Sequence, residues 1–198
     1  NNNIYIKMDL PETAFIIEKL NEEFDELQQE FDELQQENDK LKQEIVLLKN
    51  KYESNEKDVN QAIKDCIRFC GAHNDMATLL YILYKDKFKC TSICNKTWYY
   101  LDDYNKWKLS VDSNIEIRTA ISGLEEIFIN EVKKYKEFFD NFTGDDAEEY
   151  SNNIYDYEKC NEIIDKFRKK NYKSYIFTEC MEQFYDNKFL ENLKLINT

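Results

Sequence analysis

Apolar residues recur at alternating intervals of three and four positions through the first quarter of the chain. Leucines stand seven residues apart at one position of each heptad, and mostly aromatic or β-branched residues stand three positions before them. A 3.5-residue repeat kept for five heptads makes helices supercoil around a partner. The pattern predicts a coiled coil over residues 13–57, after a lead-in at residues 1–12. The predicted interface residues are Ile17, Leu20, Phe24, Leu27, Phe31, Leu34, Asn38, Leu41, Ile45, Leu48 and Tyr52.

The charges that flank this row indicate how the helices are oriented. In a parallel, in-register pair, Glu37 of one helix faces Lys42 of the other, and Glu44 faces Lys49. Neither contact is repulsive, so a parallel arrangement is favoured. Asn38 is the one polar residue at an a position, and two such residues pair only when the register is correct. The sequence therefore favours a parallel dimer.

Two alternatives to the dimer stay open at this point. Phe24 and Phe31 put aromatic rings at a positions, which crowds a two-stranded seam and favours a trimer. A single long helix packed on its own domain would also show an apolar row, although its polar faces would be narrower.

The remaining pattern predicts short helices around one β element. The helical period returns after a polar stretch at Ser54–Asn60, and it changes to a period of two in the middle of the chain. One acidic stretch, Thr143–Ser151, is predicted to be a loop. The predicted helices are Val59–Phe69, Asp75–Tyr84, Ile115–Phe142, Tyr157–Lys170, Tyr172–Phe184 and Asn187–Leu195, and the predicted strands are Phe88–Ile93, Thr97–Leu101 and Lys106–Leu109.

Composition supports a mainly α fold class. The 198 residues include one proline and three glycines, so few residues interrupt helices. We predict an N-terminal parallel coiled coil followed by a helical domain at residues 62–198, with one small antiparallel hairpin or three-stranded sheet.

Charge and hydropathy limit the function classes. The formal net charge is −13, of which residues 1–62 contribute −9 (16 acids, 7 bases) and the rest −4 (24 acids, 20 bases). Tight nonspecific binding of phosphates is therefore not the default expectation. No apolar stretch is long enough to span a bilayer, so no membrane partner is expected. Six scattered cysteines without a disulfide framework favour a reducing, intracellular setting.

The cysteines raise a metal hypothesis, but no catalytic motif accompanies them. A phosphate-binding GxxxxGK loop cannot be built from the three glycines, so this segment is not expected to be an ATPase by itself, and no catalytic residue or cofactor is assigned. Five candidate ligands lie within thirty residues and could hold zinc, although buried free thiols are the better interpretation. These candidates are Cys66, Cys70, His73, Cys90 and Cys94.

One basic cluster is a candidate for nucleic-acid contacts. Basic residues next to aromatic ones, here Tyr172 and Tyr175, can bind a single strand. A solvated helix end is the more common role for such a cluster. The cluster consists of Lys166, Arg168, Lys169, Lys170 and Lys173.

The globular part resembles a domain of viral and phage primase–helicases. The resemblance rests on the stretch Leu79–Trp107, in which a helix ending at Tyr84-Lys85-Asp86 leads to Thr97-Trp98-Tyr99 and then to a second tryptophan. It continues with Ile117-Arg118 at the start of a long helix and with the segment Phe184–Leu193. The match covers about residues 62–196, and similar domains occur in poxviruses and other nucleocytoplasmic large DNA viruses.

In that family the domain precedes a superfamily 3 helicase that acts as a hexameric ring. The resemblance thus implies a non-catalytic module of a replication primase–helicase that assembles, and positions, the helicase. It leaves open whether the full-length protein is an ATP-dependent helicase or primase, and whether the coiled coil makes dimers, trimers or hexamers. It implies a viral factory in the host cytoplasm, or the virion, as location, and DNA as a partner. A free-standing coiled-coil scaffold or regulatory protein, and a single-stranded nucleic-acid binding module, are the alternatives.

Overall fold

A computed structural model of the chain describes residues 10–144, 146–169 and 171–196, in which helices dominate and three short strands form one sheet. The predicted fold class is confirmed. Most of the predicted lead-in lies outside the described residues. The elements are α1 Leu10–Arg68, α2 His73–Tyr84, β1 Phe88–Ser92, β2 Thr97–Leu101, β3 Trp107–Leu109, α3 Ile115–Asn141, α4 Ala147–Phe167, α5 Tyr172–Gln183 and α6 Phe189–Ile196.

The chain divides into two compact units, a first unit that ends at Ser54 and a second unit that begins at Asn55. Within the described residues, the first unit consists only of the part of α1 that ends at Ser54. The prediction of a separate helix from Val59 was wrong, because α1 is helical through the polar stretch at Ser54–Asn60. Loss of the heptad pattern changes which face is apolar, and none of those seven residues is a glycine or proline that would break the helix.

A single core holds the second unit together. The end of α1 contributes Ala62, Ile63, Cys66 and Ile67, and α2, β1, β2, α3, α4 and α5 add further buried apolar residues. Trp98 is fully buried, with ring centroids of Phe177 and Phe184 at 5.8 and 5.6 Å. Trp98 is therefore a core residue.

The sheet is antiparallel, in the order β1-β2-β3. Phe88 pairs with Tyr100 and Cys90 with Trp98, and the register then shifts before Ser92. The β1 edge is covered by the chain after α5, since Cys90 N donates to Phe184 O at 2.9 Å and Asp186 N donates to Cys90 O at 2.9 Å. The sheet thus fixes the end of α5 against β1.

The acidic stretch before α4 corrects a second prediction. Residues 147–151 were predicted to be loop, but α4 begins at Ala147. The Asp146 side chain caps the helix by accepting hydrogen bonds from Glu148 N (3.1 Å) and Glu149 N (3.0 Å). Acidic residues in a first helical turn are stabilised by the helix dipole, so the same composition that indicates a loop also favours a helix start.

Within the described residues, no helix combines the length and the apolarity that crossing a bilayer requires.

Candidate functional site

The heptad face of the first unit is exposed to solvent in the single chain. We use "heptad face" for the eleven predicted interface residues from Ile17 to Tyr52. Its ten apolar side chains are between 51% and 70% exposed, and Asn38 is exposed as well. Soluble helices rarely leave so long an apolar row uncovered. This face is the first candidate site.

The side chains beside the heptad face bond within their own helix. Lys42 Nζ lies 3.2 Å from Asp39 Oδ1, and Gln28 Nε2 donates to Asp32 Oδ1 at 3.1 Å. Contacts of this kind, three or four residues apart, contribute only about 0.2–0.5 kcal/mol each. They leave the apolar row itself without cover, and the pairing of Glu37 with Lys42 across two chains stays a prediction.

The second candidate site is a pocket in the second unit, where two helix–helix corners meet. Phe69, Cys70 and His73 line it from the α1–α2 corner, and Lys169 and Tyr175 line it from the α4–α5 corner. Lys166 and Tyr172 line it as well. The cavity measures about 490 Å³. We call it the aromatic–lysine pocket.

One hydrogen bond joins the two corners. Tyr172, at the start of α5, donates through its hydroxyl to Gly71 O at 2.5 Å, and this tyrosine is buried. Burial raises the pKa of the Tyr172 hydroxyl, so it stays protonated and keeps donating. Cys70 and Gly71 both have positive φ, 51° and 66°, which turns the chain sharply from α1 into α2.

The Cys70 thiol lies at the edge of the pocket beside two charged groups. It donates to Glu162 Oε2 at 2.7 Å, and Lys159 Nζ lies 3.0 Å from the other oxygen of that carboxylate. Burial, followed by the hydrogen bond to Glu162, raises the pKa of Cys70. The hydrogen bond from Cys70, followed by Lys159, lowers the pKa of Glu162. A thiol held protonated is a poor nucleophile, so the geometry favours binding over covalent chemistry.

The predicted basic cluster is only partly free. Lys166 Nζ donates to Cys70 O at 2.5 Å, and Arg168 pairs with Asp165 at 2.9 Å. Lys173 Nζ lies 6.0 Å from the ring centroid of Phe167. Lys169 is exposed and has no ion pair among the described residues, while Lys170 lies outside them.

The candidate zinc ligands are dispersed. Cys66 is buried in the core, where burial raises its pKa to about 12. Cys90 is buried in the sheet, whereas Cys94 is exposed in the following turn, beyond the register shift. The described part of the chain contains no group of three or more His, Cys, Asp or Glu residues that could hold a metal ion.

The structure joins two candidate sets that the sequence kept apart. Cys70 and His73 were candidate metal ligands, and Lys166 and Lys169 were candidate nucleic-acid contacts, yet all four line one pocket. Phe69 was missed as a pocket residue. One sequence feature could have indicated it. Phe69 is an aromatic residue at the end of a predicted helix, off the apolar face of that helix and directly before the Cys70-Gly71 turn.

Comparisons with known proteins give a similarity to a viral protein that is named as a helicase. No family model matches the chain, and no solved structure matches it. The chain is 29% identical over 143 residues, 72% of its length, to a protein of Acanthamoeba polyphaga mimivirus named "Putative helicase L207/L206". It spans 14% of the length of that relative. The sequence is thus similar to part of a helicase-related viral protein.

Proposed function

We propose that this chain is a non-catalytic module of a viral DNA-replication protein of the primase–helicase kind, which self-associates through its heptad face. The similarity to the mimivirus relative carries the replication part of the proposal. The exposed heptad face carries the self-association part. The second unit would then assemble or position a helicase, and a viral factory in the host cytoplasm would be its place of work.

The energetics of the heptad face favour association. Burying one large apolar side chain fully contributes about 1.5–3 kcal/mol, so ten give roughly 15–30 kcal/mol per helix as an upper bound. Association itself costs about 4–15 kcal/mol. Even partial burial of the ten side chains therefore exceeds the cost. A parallel dimer follows from Asn38 and from the flanking Glu–Lys pairs, and a trimer or a hexamer built from dimers fits the two phenylalanines and the helicase context.

The ATPase, where the full-length protein has one, would lie outside these 198 residues, because they contain no GxxxxGK loop. This assignment explains how a chain without a catalytic motif can be similar to a protein named as a helicase. It also makes DNA a partner of the assembled protein.

The proposal is tested in the full-length protein by deleting residues 62–198 and measuring DNA-stimulated ATP hydrolysis and unwinding. Both activities should fall while the ATPase without DNA persists, since the module positions the helicase and leaves the phosphate-binding loop intact. The matched comparison is a deletion of residues 1–52, which removes the heptad face and leaves residues 62–198 in place. Full DNA stimulation in the 62–198 deletion would contradict the proposal.

A free-standing coiled-coil scaffold is a second candidate, favoured by the absence of a catalytic motif beside a complete heptad face. The two candidates differ in the coding sequence beyond Thr198. A replication module predicts a strand followed by GxxxxGK there, whereas a scaffold predicts none.

A further inference from the structure

Two aromatic rings that line the aromatic–lysine pocket are exposed to solvent. Phe69 is 54% and Tyr175 is 55% exposed. The centroid of the His73 ring lies 5.1 Å from that of Tyr175 and 5.2 Å from that of Tyr172. Exposed rings inside a cavity of about 490 Å³ offer flat surfaces to a flat ligand, and small-ligand pockets commonly measure about 300–1,000 Å³.

Positive charge surrounds these rings. The Arg68 guanidinium lies 5.4 Å from the Phe69 ring centroid, and Lys166 and Lys169 line the cavity. The nearby acids are engaged elsewhere, since Glu162 is held by Lys159 at 3.0 Å and Asp165 by Arg168 at 2.9 Å. The pocket therefore has a local positive excess on a chain that is negative overall.

Two helix N-termini add to that excess. The first residues of α2 and α5 line the pocket, and each helix is 12 residues long. Neither Ala72 nor Asn171, the N-cap residues, caps its helix through a side chain. The Tyr172 amide donates to Lys169 O at 3.2 Å, whereas the other amide groups of the two first turns and the positive end of each helix dipole favour an anion such as phosphate.

We infer that the aromatic–lysine pocket binds one unpaired nucleotide, with its base on the exposed rings of Phe69 and Tyr175 and its phosphate at Lys169 and the two helix N-termini. A flat ring system with an attached anion is the ligand chemistry that matches all three features. Both a single strand and a free nucleotide have that chemistry. The choice of a single strand rests on the proposed replication function.

The charge of the pocket sets the expected strength of binding. Lys169, which neutralises one phosphate of a single strand, gives a slope of log affinity against log salt of about −0.7. Affinity should then fall about 2.6-fold between 50 and 200 mM salt. This is a weak dependence, which distinguishes one pocket from a broad basic face.

The test is fluorescence anisotropy of a labelled oligothymidylate of twenty nucleotides, titrated with the whole chain. Tyr175→Ala should weaken binding about 5- to 150-fold, the range expected for the loss of one stacked base. Lys169→Glu should weaken binding and flatten the salt slope towards zero. Both side chains are exposed, so the fold should be kept, which circular dichroism verifies.

Matched controls make the same substitutions elsewhere. Tyr104→Ala changes a tyrosine that is 82% exposed, and Lys136→Glu reverses an exposed lysine on α3. Both controls should bind like the unmodified chain. Equal losses in controls and pocket variants would assign the binding to general charge and would overturn the inference.

Two further arms identify the source of the nucleotide. A duplex of the same length should bind much more weakly than the single strand, and thymidine monophosphate should compete only at far higher concentrations. Competition by the mononucleotide at equal concentration would overturn the single-strand assignment in favour of a free nucleotide. No binding of either ligand at 50 mM salt would overturn the inference, while leaving the ATPase test of the proposed function unaffected.

Discussion

A single missing Cβ shapes the corner between α1 and α2. Gly71 has φ +66°, and a Cβ built there would lie 2.5 Å from the Tyr172 hydroxyl oxygen. The same hydroxyl donates to Gly71 O, so the small residue permits the bond that joins the two corners of the pocket. At the residue scale, both the left-handed backbone conformation of the turn and the hydrogen bond across the pocket therefore depend on Gly71.

Gly71→Ala should therefore destabilise the second unit. The left-handed conformation alone costs a non-glycine residue about 1–2 kcal/mol, and the clash with Tyr172 adds to it. Gly123→Ala is the matched control: Gly123 lies within α3, no atom would lie within 4 Å of the added methyl group, and the change should stabilise by about 0.5–1 kcal/mol. Urea unfolding of both variants measures the difference. Equal effects on the free energy of unfolding would contradict this account of the corner.

Asp102 gives a pH-dependent prediction for the β2–β3 turn. Its carboxylate accepts from Lys106 N (2.8 Å) and Tyr104 N (2.9 Å) and lies 2.8 Å from Lys108 Nζ. The contact with Lys108, followed by the Lys106 amide, lowers the pKa of Asp102. A carboxyl whose pKa is lower in the folded state stabilises the fold above its unfolded pKa, and this contribution is lost as pH falls through the folded pKa.

Asp102→Asn should accordingly lower the thermal unfolding midpoint near pH 7, and its effect should shrink as pH falls through the folded pKa of Asp102 and the carboxylate is protonated. Asparagine keeps an oxygen for the two amides and loses the attraction to Lys108. Asp103→Asn removes the same charge one residue away and should give no such pH-dependent difference. A constant difference between Asp102→Asn and the unmodified chain at all pH values would contradict the assignment.

At the element scale, local repeats were readable from the sequence and distant contacts were not. The extent of the three strands was predicted within one residue at each end, because the alternating pattern and the turn residues are local. The start of α4 was missed because Asp146 caps a helix with the same side chain that would favour a turn. The pocket was not predicted because Gly71 and Tyr172 are 101 positions apart, and no local pattern encodes their contact.

The prediction for α1 concerns Asn38, the one polar residue of the heptad face. Asn38→Ile should raise the stability of the assembled helix, by roughly 1–3 kcal/mol per chain, because a polar group no longer has to be buried. It should also broaden the distribution of oligomers, since the side chain that selects two strands is gone. Thermal unfolding and sedimentation velocity measure the two effects.

The matched control is Asn50→Ile, which places the same side chain near the end of the predicted seam but off the heptad face. It should change neither the unfolding midpoint nor the oligomer distribution. Stabilisation by both variants to the same extent would show that isoleucine acts through helix propensity or hydrophobicity alone, and would remove the role assigned to Asn38.

On the scale of the whole molecule, the chain combines a first unit whose apolar row is exposed with a second unit whose apolar residues form a closed core. The negative charge is concentrated toward the first unit, at −9 of −13 over residues 1–62, so association has to overcome repulsion between copies. Self-association should therefore strengthen with added salt, whereas nucleotide binding in the pocket should weaken.

The central claim is that the heptad face brings copies of the chain together, and the mass of Leu34→Lys in solution tests it most directly. Gln36→Lys adds the same charge two residues away, off the heptad face. By light scattering, the unmodified chain and Gln36→Lys should have twice the 24.0 kDa mass of one chain, or a higher multiple, while Leu34→Lys should approach the mass of a single chain. An unchanged oligomer mass for Leu34→Lys would contradict the claim.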